Sequence, residues 1–182
     1  MTILLGLVFA LVALSVWIYN QLVRDRNQVR SAWSDIDVQL TRRHDLVPQL
    51  VAAVKAYADY EKATMVAVTE LRARSEKASR LPEKAALEDE MEAGLHRLIV
   101  LAEDYPDLKA DENFRKLQEE LTEVEDHLQF ARRFYNGAVR ILNTHIETFP
   151  HMLIARPCAF HPAEFFEAAG ADVRSAPQVE LG

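Results

Sequence analysis

The sequence predicts an all-α protein: an N-terminal transmembrane helix followed by an antiparallel, up-down bundle of three long helices and a short C-terminal helix. Three observations predict this class. An apolar run without charge or proline opens the chain, from Ile3 to Tyr19. In the rest of the chain, apolar residues recur in alternating steps of four and three, as in a helix packed against other helices. Glycine and proline are sparse, at 5 and 7 of 182 residues, and no strand-length alternating pattern occurs.

The apolar run is long enough to cross a bilayer. As a helix, residues 3–19 would extend about 26 Å, close to the ~30 Å hydrocarbon layer. Trp17 and Tyr19 stand at its end, where amphipathic rings prefer the headgroup region. A cleaved signal peptide is the main alternative, but only Met1 and Thr2 precede the run, without the basic residues that open such peptides. A core helix of a soluble protein is the other alternative, and the uniform apolarity of the run disfavours it.

Positive charge follows the run closely, at Arg24, Arg26 and Arg30. By the positive-inside rule, we expect a single-pass protein of the inner (cytoplasmic) membrane, with its N-terminus outside and its helical body in the cytoplasm. An exported body outside the membrane is the alternative orientation. The expected organisation is a transmembrane anchor over residues 1–20, a helical bundle over residues 21–170 and a flexible tail over residues 171–182.

A first long helix is predicted to follow the anchor, with or without a break. Its apolar stripe consists of Val29, Trp33, Ile36, Leu40, Val47, Leu50, Val54, Tyr57, Val68 and Leu71. The register is interrupted at Arg43, Glu61 and Thr64. Because Pro48 removes a backbone donor inside the run, we expect a kink near Arg43 to Asp45.

A second helix is predicted to begin with a cap at Ser79 and Pro82 and to end before Tyr105 and Pro106. Its stripe consists of Leu87, Met91, Leu95, Leu98 and Ala102. Short connections on both sides favour antiparallel neighbours.

A third helix, capped by Asp111, is predicted to run until Phe149 and Pro150. Its stripe is the most regular in the chain: Phe114, Leu117, Leu121, Val124, Leu128, Ala131, Tyr135, Ala138 and Leu142. Residues 151–159 are expected to be irregular. A short helix that contains Phe165 and Phe166 is then expected to begin at Pro162.

Composition argues against several classes of function. The net charge of -7 and the lack of a long basic run disfavour nucleic acid as a partner. The glycines are isolated, so no phosphate-binding loop is present, and the spacings of zinc ligands are missing as well. We therefore predict no catalytic residue, cofactor, metal or small-molecule substrate. The rival hypothesis is a hydrolase with an unrecognised site near His44 and Asp45 or near Glu92 and His96.

Charge is concentrated just after the apolar run. This juxtamembrane polar set, a candidate interaction site or structural cluster, consists of Arg24, Arg26, Arg30, Asp35, Asp37, Arg42, Arg43, His44 and Asp45. Arginines near the surface would attract anionic headgroups. Arg43 falls at a core-facing position, where a buried charge needs a carboxylate, so we expect an ion pair with an acid from another helix. An acidic run, which is either a solvated face or a docking face for a basic partner, consists of Glu119, Glu120, Glu123, Glu125 and Asp126.

Three long segments of the sequence carry a family resemblance. They are YNQLVRDRNQVRSAWSDIDVQLTRRHDLVPQLVAAVKAYADYE (19–61), LAEDYPDLKADENFRKLQEELTEVEDHLQFARRFYNGAVRILNTHIETFP (101–150) and HPAEFFEA (161–168). With the apolar run they cover nearly the full length, and they closely resemble the LemA family of bacterial membrane proteins. Two features depart from the family pattern: the loop from Ala155 to Ala159 is more polar and more rigid than expected, and His161 stands where lysine is usual.

The resemblance implies a single transmembrane helix with an outside N-terminus and a cytoplasmic α-helical bundle, in agreement with the residue patterns. It implies no enzymatic activity. Some LemA-like proteins are linked to magnetosome formation and others are encoded beside membrane metalloproteases, which implies an accessory or scaffold role. We therefore expect a membrane-anchored, non-enzymatic helical protein that binds a protein partner or the membrane surface. The helical stripes also permit a homo-oligomer.

Overall fold

The computed structural model describes residues 1–57 and 62–167, and within these ranges the chain is helical, without a strand. The predicted all-α class is confirmed. The helices are α1 (Thr2–Lys55), α2 (Lys62–Lys77), α3 (Leu81–Leu101), α4 (Pro106–Ala110), α5 (Glu112–Glu147) and α6 (Met152–Ala155), with a 3-10 turn at Ala102–Asp104.

Helix α1 is 54 residues long and runs from the apolar segment into the body without a break. In the described part of the chain it is the one helix long and apolar enough to cross a membrane. Only 6% of its apolar window is buried, whereas a core helix of a soluble protein would be mostly buried. An N-terminal helix suited to membrane anchoring is therefore present. The predicted boundary at residue 20 falls inside α1, and α1 also continues as a helix through Pro48.

The prediction that the first helix of the body extends to Leu71 is wrong. Helix α1 ends at Lys55, and the Tyr57 N–H donates to the Val54 carbonyl at 3.1 Å in a turn. Helix α2 then begins at Lys62. The apolar register lapses just there, so continuing one helix would present no apolar face for burial.

By contact density the chain divides into two compact units. Unit 1 consists of residues 1–40 and 126–165, and unit 2 of residues 41–125 and 166–182. Residues 168–182, which include the predicted tail at 171–182 and the end of the predicted bundle, lie outside the described residues.

In unit 1, the first part of α1 packs antiparallel to the second part of α5. The rings of Trp33 and Tyr135 meet edge to face with centroids 5.8 Å apart, and Asp25 Oδ2 lies 2.7 Å from His145 Nδ1. The contact further along α5, at His145, is made by the residue of α1 that is earlier in the chain, Asp25. The two segments therefore run in opposite directions.

In unit 2, helices α2 and α3 form an antiparallel hairpin across a connection of three residues, 78–80. Gly94 permits their closest approach, since a Cβ built there would lie 2.6 Å from Val68 Cγ2. Helix α3 has Pro82 in its first turn, as predicted, but its N-cap is Arg80 without a side-chain hydrogen bond. The predicted cap at Ser79 is therefore wrong.

Helix α5 begins as predicted. The Phe114 N–H donates to Asp111 Oδ1 at 2.9 Å, so the cap is confirmed. The stripe is buried along its length, with Phe114, Leu121 and Val124 in unit 2 and Leu128 and Tyr135 in unit 1.

The short helix predicted from Pro162 is wrong: residues 161–167 are not helical, whereas α6 lies in the segment that was expected to be irregular. Side chains of α5 hold the backbone in this region. The Asn143 amide accepts from the Ala163 N–H at 2.9 Å and donates to the Ala163 carbonyl at 3.0 Å, and the Tyr135 hydroxyl donates to the Glu164 carbonyl at 2.9 Å. These bonds satisfy backbone groups that a helix would otherwise pair.

Candidate functional site

The most buried polar feature of unit 2 is a cluster centred on Glu88 of α3, whose exposed fraction is 0%. Glu88 Oε2 lies 2.9 Å from Arg43 Nη1, and the same nitrogen donates to the Glu88 carbonyl at 3.3 Å. Glu88 Oε1 lies 2.8 Å from His44 Nε2 and also accepts the hydroxyl of Ser75. Both carboxylate oxygens are therefore occupied by protein donors. We call Arg43, His44, Ser75 and Glu88 the Glu88 cluster.

Arg43, which is also fully buried, has a second carboxylate partner. Its Nη2 forms an ion pair with Glu125 of α5 and lies 3.7 Å from Glu92 Oε2. One guanidinium thus links α1, α3 and α5 within unit 2. Its planar fork suits this role, because it presents separate donors in fixed directions to two carboxylates.

Burial raises the pKa of Glu88, since the charged form loses hydration. The hydrogen bonds from His44 and Ser75, followed by the positive charges of Arg43 and His44, act in the opposite direction. Together they outweigh burial and hold the pKa below its ordinary value of 4.5. Glu88 is therefore a carboxylate at neutral pH. Because a carboxylate only accepts hydrogen bonds, His44 Nε2 is the hydrogen-bond donor of this pair.

The Glu88 cluster continues toward solvent through Glu76 on α2. Glu76 Oε1 lies 3.9 Å from His44 Nδ1 and 3.1 Å from Arg72 Nη2. Both ring nitrogens of His44 thus have acidic neighbours, Glu88 buried and Glu76 half-exposed. Such an arrangement fixes the orientation of the ring.

The structure separates the residues of the juxtamembrane polar set. Arg43 and His44 join the Glu88 cluster, and the predicted ion pair of Arg43 with an acid from another helix is confirmed. The other members are exposed: Arg24, Arg26, Arg30, Asp35, Asp37, Arg42 and Asp45. Arg26 lies over the ring of Phe160, with Cζ 5.0 Å from the centroid. Residues 24–37 of the set belong to unit 1, and residues 42–45 belong to unit 2.

The sequence patterns identify neither Glu88 and Glu125 as the carboxylate partners of Arg43 nor Ser75 as a hydrogen-bond partner of Glu88. A signal for Glu88 was available, because it precedes Met91 by three residues and so falls on the core face of α3. Glu125 follows stripe residue Val124, but it stands in an acidic run of five residues, in which its residue type does not distinguish it from its neighbours. The sequence offers no signal for Ser75.

A second polar cluster lies in unit 1, where α1 meets α5 and the segment after it. The rings of His145 and His151 stack with centroids 4.8 Å apart and planes at 10°. Gln21 lies between their outer nitrogens, with Nε2 3.5 Å from His145 Nε2 and Oε1 3.3 Å from His151 Nε2. Burial and the neighbouring His145 lower the pKa of His151, against the opposing effect of Asp25. In the described ranges, no three acidic, histidine or cysteine side chains are grouped to hold a metal ion.

Unit 1 also carries an open groove of about 380 Å³ between α1 and α5. It is lined by Asp35, Val38, Gln39, His127, Phe130, Ala131 and Phe134, which we call the α1–α5 groove. Phe130 is 66% exposed, and Val38 and Phe134 are also exposed. Arg133 lies over the Phe130 ring, with Cζ 4.6 Å from its centroid. The groove therefore has exposed apolar side chains on both helices, with charged residues beside them.

An all-helical body behind an apolar N-terminal helix of spanning length fits a membrane-associated helical protein. The model of the LemA family matches residues 32–181, so the chain belongs to the LemA family. The chain is 26% identical to Protein LemA of Metamycoplasma hominis over 155 residues, which cover 82% of the chain and 69% of that relative. It is 24% identical to Magnetosome proteins MamQ 2 and MamQ 1 of Paramagnetospirillum magneticum over 186 aligned positions, covering 88% of the chain and 68% of each relative.

Proposed function

We propose that this protein is a non-enzymatic scaffold, anchored by α1 in the inner membrane, whose α1–α5 groove binds a helix of a partner protein. The observation that carries the proposal is the exposure of Val38, Phe130 and Phe134 on one groove of the body. Apolar side chains gathered in this way mark interaction sites rather than ordinary surface. The magnetosome proteins among the relatives are consistent with an accessory role at a membrane.

A helix is the partner element that fits such a groove best. A groove between two helices that carries exposed apolar side chains accepts an amphipathic helix, whose anchor residues are spaced three and four apart. The rim supplies charges of both signs, with Asp35 on α1 and Arg133 on α5, to orient the partner.

The proposed orientation places the N-terminus outside and the body in the cytoplasm. Arg24, Arg26 and Arg30 support it, because all three are exposed on α1 within a few residues of the apolar run. The groove would then face cytoplasmic partners.

The Glu88 cluster is proposed to be structural rather than catalytic. His44 is buried and its Nε2 is held by Glu88, while Asp45 is exposed. In the other pair offered by the hydrolase hypothesis, Glu92 faces Arg43 and His96 is exposed. A general base must reach a substrate proton, and neither pair combines a free base with a site for the reacting atom.

The groove is tested by placing a photoreactive phenylalanine analogue at Phe134 of the full chain and irradiating intact cells. We expect a discrete adduct with a second protein. The adduct should be lost when Val38→Glu is added, since a charge in the groove opposes binding of an apolar helix face. It should be kept with the control Val100→Glu, which changes an exposed valine of α3. An adduct that persists in the Val38→Glu variant would contradict the proposal, and so would the absence of any adduct. An adduct of twice the mass of the chain would show that the groove binds a second copy of this chain instead of a different protein.

A further inference from the structure

The segment after α5 lies beside the end of the apolar run, within unit 1. The ring of His151 is 6.2 Å from that of Trp17, and the ring of Phe160 is 5.9 Å from that of Tyr19 in an edge-to-face contact. Trp17 and Tyr19 are the aromatic residues that close the spanning run, at the depth where such rings meet lipid headgroups. Residues 149–160 are therefore held at the depth of the membrane interface.

The contacts of residues 149–160 with α1 indicate the depth of this segment relative to the membrane. This segment contacts α1 at Trp17 and, nine residues further along, at Arg26, which lies over Phe160. Nine residues of helix rise about 14 Å. The headgroup layer is roughly 5–8 Å deep on each side of the hydrocarbon. The lower part of the segment, near Trp17, thus falls within the headgroup layer.

Two large apolar side chains of this segment are turned outward. Phe149 is 76% exposed and Leu153, on α6, is 59% exposed. In water, such side chains would remain hydrated at a cost. The apolar run beside this segment is exposed at most of its positions, so the two side chains add to the exposed apolar surface of unit 1. Arg156, one turn beyond Met152, adds an exposed positive charge.

The backbone holds these side chains in place. The Met152 N–H donates to the Thr148 carbonyl at 2.8 Å, and the Ala155 N–H donates to the His151 carbonyl at 2.9 Å. After α6, the Phe160 N–H donates to the Ala155 carbonyl at 3.0 Å, with Ala159 in the left-handed region at φ 55. This reversal of the chain follows α6 and allows the ring of Phe160 to contact that of Tyr19.

We propose that residues 149–160 form a second contact with the lipid bilayer, in which Phe149 and Leu153 enter the headgroup region of the membrane that α1 spans. Arg156 pairs with lipid phosphates at the same depth. The contact works as an interfacial anchor: apolar side chains enter the outer part of the bilayer while the polar backbone stays at its edge. It limits tilting of unit 1 relative to the bilayer. The inference rests on the proposed anchoring by α1.

The test uses the full chain in vesicles of phosphatidylethanolamine and phosphatidylglycerol that contain spin-labelled phosphatidylcholine. In a Cys158→Ser background, a fluorophore is attached at Leu153→Cys. Matched sites are Val100→Cys, an exposed position of unit 2, and Val16→Cys, inside the apolar run. We expect spin labels close to the headgroup to quench the fluorophore at 153 at least twofold more than the one at 100.

The site at 16 separates two kinds of failure. Quenching at 16 by spin labels in the chain region, without quenching at 153, would overturn the second contact while leaving the anchor intact. Loss of quenching at 16 as well would overturn the anchor, and the second contact with it. Phe149→Ser combined with Leu153→Ser provides a further measurement, with the fluorophore moved to His161→Cys. We expect quenching there to fall, and unchanged quenching would overturn the roles of the two side chains.

Discussion

Arg43 of α1 and Glu88 of α3 form an ion pair at 2.9 Å, and neither side chain has any exposed surface. Two opposite charges removed from water cost several kcal/mol each in lost hydration, and the pair is tolerated because each charge also has other partners. Glu125 and Glu92 face Arg43, while His44 and Ser75 face Glu88.

Glu88→Gln should destabilise the protein by about 3 kcal/mol or more, because it leaves the buried charge of Arg43 without its fully buried carboxylate partner. The amide keeps the size of the side chain, so packing is not altered. Urea unfolding of the detergent-solubilised chain, followed by circular dichroism, measures the loss. Glu90→Gln, at an exposed position of the same helix, is the matched control and should change stability by less than about 0.5 kcal/mol. Equal effects of the two variants would contradict a structural role for Glu88.

Replacing both charges should cost less than replacing one. We expect Arg43→Met with Glu88→Leu to be more stable than Arg43→Met alone, because the double variant leaves no unpaired charge at the centre of the cluster. Glu125 retains contact with solvent and can be hydrated. Denaturant unfolding of the two single variants and the double variant gives the coupling directly. Additive losses would show that the two residues act independently.

The lowered pKa of Glu88 predicts a specific dependence on pH. In the folded state the carboxyl group binds its proton less readily than in the unfolded chain, so the unfolded state takes up more protons as pH falls. The stability from this group is complete above about pH 4.5 and is lost as pH decreases through the lower folded value. Acid unfolding curves of the parent chain and of Glu88→Gln should therefore converge below pH 4.5. A constant difference between them down to pH 2 would contradict the assignment.

Regular stripes predicted the helices well where one face is buried throughout. Helix α5 illustrates this: the apolar positions lie on one side, and Asp111 supplies an unambiguous cap. Arg43 was identified for the same reason, since a charge inside a stripe requires a buried partner. The identity of that partner depends on which helices meet, and sequence spacing carries no such information.

The two errors have different causes. Helix α1 ends at Lys55, where its apolar face lapses, whereas the backbone at 161–165 is not helical because residues distant in sequence hold it. Asn143 and Tyr135 occupy backbone groups of residues 163 and 164 from another segment of the chain. Pro162 followed by phenylalanines resembles a helix start locally, but those tertiary hydrogen bonds override the local preference.

The orientation of the body is tested with Cys158, the only cysteine of the chain, whose side chain is exposed. We expect a membrane-impermeant maleimide to leave Cys158 unlabelled in intact cells and to label it after permeabilisation. Thr2→Cys in a Cys158→Ser background is the control for the opposite side and should be labelled in intact cells. Labelling of Cys158 in intact cells would reverse the proposed orientation.

The anchoring of the chain by α1 is tested most directly by alkaline carbonate extraction of membranes from cells that express the full chain, combined with the intact mass of the product. We predict that the protein remains in the membrane pellet with residues 1–20 still attached. Leu11→Arg with Val12→Arg should release it, because each charge at the centre of a span costs roughly 2.5–3.5 kcal/mol. Recovery of the parent chain in the soluble fraction, or a mature mass that lacks the apolar run, would contradict the account.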